Sequence, residues 1–203
     1  MSKFSIIIPA HNAEEHGIRA FESIKMQSFK DYECIVVCDS CTDRTEEVAK
    51  SYGFKVAPVQ HGNDGLSRST GLDLATGEWI LFMDDDDWWI HEFVLEILDK
   101  RVGALEEDIL CFSFIWKGMK YADPLGNNGM LWPAVWNKCW RREFIGNTRF
   151  PNVYSVSDWE FHKKMMKKAP KIALWDMPLY YYNYLRPGSI SWLSERNVPG
   201  EEK

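Results

Sequence analysis

The chain has 203 residues, 45% of them hydrophobic and 27% charged, with 10 Trp, 11 Phe and 8 Tyr. That is enough for one ordinary domain with a real core and no need of disulfide or metal staples. A formal net charge of -6 argues against nucleic acid as the main partner, because phosphate backbones call for a clustered basic surface.

Taken in chain order, Phe4 to Ala10 is a short apolar run rich in β-branched residues and predicts a buried strand. Asn12 is placed to cap a following helix with Ile18, Phe21 and Ile24 on one face. Glu33 to Val37 predicts a second strand. Asp43 and Glu46 have capping-box spacing for a helix running to about Ser51. Lys55 to Val59 reads as a third strand. Gly65 to Ala75 reads as a helix closed by Gly77, and Trp79 to Met83 as a fourth strand. His91 to Arg101 predicts an amphipathic helix with Phe93, Val94, Ile97 and Leu98 inward. Asp108 to Ile115 predicts a fifth strand. This alternation implies an α/β domain with a mostly parallel sheet covered on both faces. Beyond Trp116 the pattern loosens into a Gly/Asn loop (126–129), a Trp-rich segment, a helix near Asp158 to Lys168 and short strands around Ile172 and Tyr180. Residues 197–203 read as a mobile tail.

The fourth strand runs into Asp84, Asp85, Asp86 and Asp87. Ligands of open α/β sheets bind beyond the carboxyl ends of the strands, and four adjacent carboxylates repel one another. In an extended chain Asp84 and Asp86 share a side, roughly 7 Å apart, which suits one carboxylate on Mg²⁺ or Mn²⁺ and the other on a neighbouring hydroxyl. A helix cap needs only one Asp. Asp39, ending the second strand, can accept the N3–H of uracil or the matching edge of guanine, or serve as a cap. Arg68 by itself reads as a surface arginine, or as a partner of a diphosphate or of the acidic run.

Five cysteines, an odd number, and no signal-peptide pattern predict reduced thiols in the cytoplasm. No apolar run reaches the roughly 20 residues of a membrane helix, so any membrane contact would be peripheral. Cys38 and Cys41 could form a redox dithiol, but incidental spacing in a loop is the simpler reading. Trp132, Trp136 and Trp140 recur every four residues and would share a helix face, as core or as a platform for a sugar ring. Tyr180, Tyr181 and Tyr182 would alternate along a strand. Of the five histidines only His11 falls at a candidate site; the other four read as solvated or satisfied.

Together these segments resemble the family 2 glycosyltransferases. Phe4 to Asn12 resembles the family's first strand and Pro-x-x-Asn turn, and Val37 to Asp43 its nucleotide-binding Val-Asp-Asp-Gly-Ser-Thr-Asp segment. Ser67 to Gly71 and Thr76 to Glu78 resemble its Ala-Arg-Asn-x-Gly and Gly-Glu pieces, and Asp84 to Trp88 its Asp-x-Asp region. Asn137 to Arg142, Phe150-Pro151, Ser157 to Phe161 and Pro187 to Ser191 follow in the family's order. The resemblance implies a GT-A fold, Rossmann-like in its central sheet, with a smaller irregular acceptor-side region. It implies a nucleotide-sugar-binding half (1–116) and an acceptor-side half (117–196). Pro9, His11, Asp39, Arg68, Asp84 and Asp85 would line the nucleotide site, Asp86 would ligate the metal, and Asp158 would be the general base. The implied reaction is inverting transfer from a nucleotide-sugar, most simply a UDP-sugar, to a glycan or lipid-linked acceptor, with Mn²⁺ or Mg²⁺. Departures from the pattern are Cys38, Ser40-Cys41, His11, Ser69 and Ser157. The alternatives are a non-catalytic nucleotide-sugar binder and a nucleotidyltransferase. The latter usually has a Gly-rich phosphate loop, which Ile8 to Asn12 lacks. A nicotinamide-dependent dehydrogenase is disfavoured by the missing Gly-x-Gly-x-x-Gly.

Overall fold

Alternate residues of the central strands belong to two different cores. Phe4, Ile6 and Ile8 of the first strand join one apolar cluster, while Ile7 joins another. A sheet whose successive side chains are all buried must be covered on both faces.

The computed structural model describes residues 2–103, 106–116, 120–126, 129–153, 156–184, 186–187 and 189. In chain order the elements are β1 (Phe4–Ala10), α1 (Ile18–Lys25), β2 (Tyr32–Asp39), α2 (Thr45–Ser51), β3 (Lys55–Val59), α3 (Asp64–Leu74) and β4 (Trp79–Phe82). They continue with β5 (Trp88–Trp89), α4 (Val94–Val102), β6 (Ile109–Trp116), β7 (Lys120–Ala122), β8 (Lys138–Arg141), α5 (Arg142–Ile145), α6 (Ser157–Met166) and β9 (Ile172–Tyr182). The sheet order is β3-β2-β1-β4-β8-β6-β9-β5, with β7 on β6.

The first four strands are mutually parallel. Beyond them the sheet is mixed: β8 runs antiparallel to both β4 and β6, and β5 antiparallel to β9. The long pairings are parallel in both halves, β6 with β9 included, and the antiparallel pairs are short, so the mostly parallel expectation holds with an antiparallel admixture in the second half. The sheet crosses the expected boundary at 116/117, because β8 is inserted between β4 and β6.

α1, α2 and α4 cover one face through Phe21, Ile24, Ala49, Val94, Leu95 and Leu98. α3, α5 and α6 cover the other through Leu72, Ile145, Phe161 and Met165. Burying each such large side chain is worth about 1.5–3 kcal/mol relative to exposure. α3 lies directly on β1: a Cβ on Gly71 would stand 2.3 Å from Ile7 Cγ2. Gly77 likewise sits against the β1 backbone, where an added Cβ would be 2.5 Å from Ser5 N. It marks a close approach, and α3 has already ended at Leu74.

Several local expectations are corrected. Asn12 does not cap α1, whose preceding residue is Gly17; its side chain accepts from the Thr42 amide at 2.8 Å instead. Asp43 accepts from the Thr45 amide at 3.0 Å, while Glu46 pairs with Lys50, so no reciprocal capping box forms. Phe93 is exposed, because α4 starts one residue later. The tryptophans share no helix. Trp140 lies in β8 and packs on Phe161, whereas Trp136 precedes β8 and stacks on Tyr180. The strands expected near Ile172 and Tyr180 are one strand, β9, irregular where it passes Ser113. Part of the 126–129 loop, part of the Pro187 to Ser191 segment and the tail 197–203 lie outside the described residues.

Candidate active site

β1, β2 and β4 end side by side, and their carboxyl ends open into a cleft of about 640 Å³. This is where strand order reverses direction, the usual ligand crevice of an open α/β sheet. Two non-glycine residues at its rim, Asn12 (φ 48°) and Ser40 (φ 55°), adopt the left-handed conformation just past β1 and β2. Pro9, His11, Asp39, Arg68, Asp84, Asp85 and Asp86 all line the cleft.

Asp39 is the most heavily bonded carboxylate. Its Oδ1 accepts from the amides of His61 at 2.7 Å and Gly62 at 2.9 Å, and from the Ser40 hydroxyl at 3.0 Å. Its Oδ2 accepts from the Asn63 amide and the Ser67 hydroxyl, both at 2.9 Å. Burial opposes ionisation, but the donors from Gly62, Asn63, Ser67 and His61 prevail and hold the carboxyl at about 2. Asp39 thus fixes the 61–63 turn that leads into α3. His11 Nδ1 lies 2.7 Å from the Asp39 carbonyl oxygen.

Arg68 is buried, contrary to a surface reading. Its guanidinium pairs with Asp64, with Asp84 at 2.6 Å and with Asp158 at 3.2 Å. One cation therefore joins the start of α3, the end of β4 and the start of α6. Burial would depress its charge, but the three aspartates hold its pKa well above the ordinary value. Arg68 cannot neutralise all three partners. Burial raises the Asp84 carboxyl to about 7; Arg68 opposes this, and Asp158 and Asp86 add to it. Asp158 is raised for the same leading reason, burial, against Arg68 and with Asp64. Asp158 is not the N-cap of its own helix. It lies inside the first turn, and its Oδ2 accepts from the Val135 amide at 3.2 Å.

The aspartate run is a turn, closed by Asp87 N donating to Asp84 O at 3.2 Å, so the extended geometry expected for Asp84 and Asp86 does not occur. Asp85 accepts from the His11 amide at 3.1 Å. Asp86 accepts from Arg186 Nε at 2.7 Å. Asp87 leaves the cleft altogether. It is fully buried, accepting from the Tyr180 hydroxyl at 2.6 Å and the Asn183 amide at 2.8 Å.

Among the described residues no three His, Cys, Asp or Glu groups converge as a ready-made metal cage. The donor set still fits a hard cation that takes most of its oxygens from phosphate and water. Burial and Asp85 raise the Asp86 carboxyl, against Arg186, so a nearby cation would relieve an excess of negative charge. His16 Nε2 is buried without a hydrogen bond among the described residues, 3.3 Å from Asp85 Oδ1.

Asp64, His16, Tyr182, Asn183, Arg186 and Ser189 also border the cleft and were not anticipated. Ser189 lies within the Pro187 to Ser191 segment that follows the family pattern and Arg186 directly precedes it, which was a usable signal. Asp64 and His16 carried none.

The family described as Glycosyl transferase family 2 matches residues 5–158. The chain is 26% identical to glycosyltransferase GlyA of Streptococcus pneumoniae, over 93% of this chain and 31% of that protein. It is also 26% identical to the Staphylococcus aureus poly(ribitol-phosphate) beta-N-acetylglucosaminyltransferase TarS, over 93% of this chain and 36% of that one. It therefore spans about a third of either relative. The structure of TarS residues 1–349 with UDP-GlcNAc superposes with a TM-score of 0.81 at 24% identity, covering 92% of this chain and 60% of that one. The mannosyltransferase PcManGT of Pyrobaculum calidifontis, in complex with GDP-Man and Mn²⁺, gives 0.72 at 16% identity, over 96% of this chain and 60% of that one. These likenesses make the fold that of the GT-A glycosyltransferases.

Proposed function

The chain belongs to glycosyl transferase family 2, and from that premise we propose that it transfers a sugar from a UDP-sugar to a glycan or lipid-linked acceptor with inversion. The observation that carries this reading is the buried guanidinium of Arg68. It bonds Asp84, which lines the cleft, at 2.6 Å and Asp158, which lies behind the lining, at 3.2 Å, so the carboxylates assigned to donor and to base meet on one cation.

Pro9, His11 and Asp39 hold the base end of the donor, Asp39 accepting the base N3–H where the Ser40 hydroxyl now donates. Asp84, Asp85 and Arg68 face the ribose and diphosphate. Asp86 holds Mn²⁺ or Mg²⁺, which when bound offsets the charge of the leaving nucleoside diphosphate. Asp158 takes the proton of the acceptor hydroxyl as it attacks. Its raised pKa suits a base working near neutral pH. Residues 1–116 act as the donor half, and 117–196 as the acceptor half. The S. aureus relative named for a poly(ribitol-phosphate) substrate and crystallised with UDP-GlcNAc supports both the donor and the acceptor class. The Mn²⁺ of the P. calidifontis complex supports the cofactor.

The test is release of UDP from UDP-GlcNAc and UDP-glucose with Mn²⁺, alongside calorimetric binding of UDP. Asp86→Asn is expected to abolish the Mn²⁺-dependent part of UDP binding and at least 100-fold of the rate, on the order of one lost charge-stabilising contact. Asp158→Asn is expected to bind UDP normally and turn over roughly 100-fold or more slowly. Full activity in the first variant removes the metal assignment, and in the second the base. UDP binding without turnover in the unaltered protein would favour a nucleotide-sugar-binding scaffold.

A further inference from the structure

Lys138 is completely buried, yet it pairs with no carboxylate among the described residues. Its ammonium has three donors, and each is used: on the Trp132 carbonyl at 2.6 Å, the Ala134 carbonyl at 2.5 Å and Asn137 Oδ1 at 2.8 Å. All three acceptors are neutral and lie in the segment just before β8. A lysine there draws the 132–137 backbone around its own nitrogen. From the other side Phe114 packs edge-on against Trp132 and Trp136, at 5.3 and 4.8 Å.

That segment carries Val135, whose amide donates to Asp158 Oδ2 at 3.2 Å. The ring nitrogen of Trp140 holds the Val135 carbonyl at 3.1 Å. The charged and titratable groups facing Lys138 are Cys111 of β6 and Asp158 and His162 of α6. Those facing Asp158 are Arg68 and Asp64 of α3, Asp84 beyond β4, and Lys138. Arg68 divides one positive charge among three aspartates, so Lys138 is the second cation near Asp158. Removing a cation from water costs several kcal/mol, and a neutral side chain could fill the same space.

We propose that Lys138 is a positioning residue for Asp158: it fixes the 132–137 segment whose Val135 amide aims the carboxylate, and its buried charge favours the ionised form of that carboxylate. This rests on Asp158 being the base.

The test follows UDP release from UDP-GlcNAc with Mn²⁺ between about pH 5 and 9, where the acid limb of the rate reports the base. The proteins compared are the unaltered chain, Lys138→Met, Lys138→Gln and Asp158→Asn. Lys138→Met is expected to lower the plateau rate roughly tenfold and move the acid limb up by about half to one pH unit, with KM for UDP-GlcNAc within about twofold. Lys138→Gln can still donate to the carbonyls, so it should recover most of the plateau rate but not the limb. An unmoved limb in both variants overturns the proposal while leaving Asp158 as base. Full turnover in Asp158→Asn overturns the base reading, whatever Lys138 does. A second measurement needs neither turnover nor a folded Lys138 variant. The Lys138 amine, depressed to about 8 mainly by burial, can be titrated by nitrogen NMR. Asp158→Asn should lower its pKa further, and an unchanged value overturns the electrostatic half.

Discussion

Asp39 shows how much a single carboxylate organises. Five donors converge on its two oxygens, and three of them are consecutive amides, those of His61, Gly62 and Asn63. Its folded pKa of about 2 lies below the ordinary value of about 3.9. Its contribution is therefore fully present above pH 4 and is lost as pH falls through 2, about 2–3 kcal/mol in all. Asp39→Asn should remove that acid-side slope and lower stability at neutral pH by about 2 kcal/mol, since an amide nitrogen would face donors. Denaturant midpoints at pH 3 and pH 7 measure both effects, and a variant that keeps the wild-type slope would count against this account. The position of Asp39 at a strand end was legible in the sequence, but its five donors were not. Four of them come from residues 61–67, which only the fold brings back to it. The same holds for Arg68. Its partners Asp64, Asp84 and Asp158 lie on three segments, so a lone arginine in the sequence reads as a surface residue although it is the hub of the cleft.

At the scale of elements, strands were easier to read than their surroundings. β1 and β3 fall where their sequence runs predict, and β2, β4 and β6 within a few residues; for β1, β2, β4 and β6 the reason is burial on both faces, which leaves an uninterrupted apolar signature, whereas β3 is a half-exposed edge strand. What the pattern concealed was geometry set by tertiary partners. The aspartate run turns because Tyr180 and Asn183 of the distant β9 end capture Asp87. The four-residue tryptophan spacing looked helical, yet Trp132 and Trp136 lie in the irregular lead-in to β8 and only Trp140 in the strand itself, whose place between β4 and β6 decides the conformation. Close approach is similarly silent until the structure is seen. α3 carries Arg68, and it can rest on β1 only because position 71 has no side chain. Gly71→Ala should force α3 away from Ile7, costing about 1–3 kcal/mol as overpacking does, and weaken UDP binding through the displaced Arg68. The double variant Ile7→Ala/Gly71→Ala removes the clashing Cγ2. It should bind UDP better than Gly71→Ala alone, even though Ile7→Ala by itself opens a cavity. Simple additivity of the two losses would show that the contact is not what constrains α3.

For the whole molecule, the cleft concentrates negative charge in a chain that already carries a net charge of -6. Asp64, Asp84, Asp85 and Asp86 line it, and Asp158 reaches it through Arg68. Arg68 and Arg186 are their paired cations. Asp84 is raised to about 7, chiefly by burial, so between about pH 4 and 7 the folded chain holds a proton there that the unfolded chain releases. Stability without ligand should accordingly decline as pH rises through that window, opposite in sign to the Asp39 contribution and in a separate pH range. A divalent cation with UDP reverses the balance, because it binds carboxylates in their deprotonated form. Ligand that binds only the native state stabilises it by about 2.7 kcal/mol at 100 times its Kd. The rise in melting temperature on adding Mn²⁺ and UDP should therefore be larger at pH 7.5 than at pH 5.5, and Asp86→Asn should remove most of that difference. A rise of equal size at both pH values would mean that the nucleotide binds without engaging the aspartate turn. Binding would then rest on the Pro9, His11 and Asp39 end of the cleft, and the charges of Asp84 and Asp86 would be answered by Arg68 and Arg186 alone.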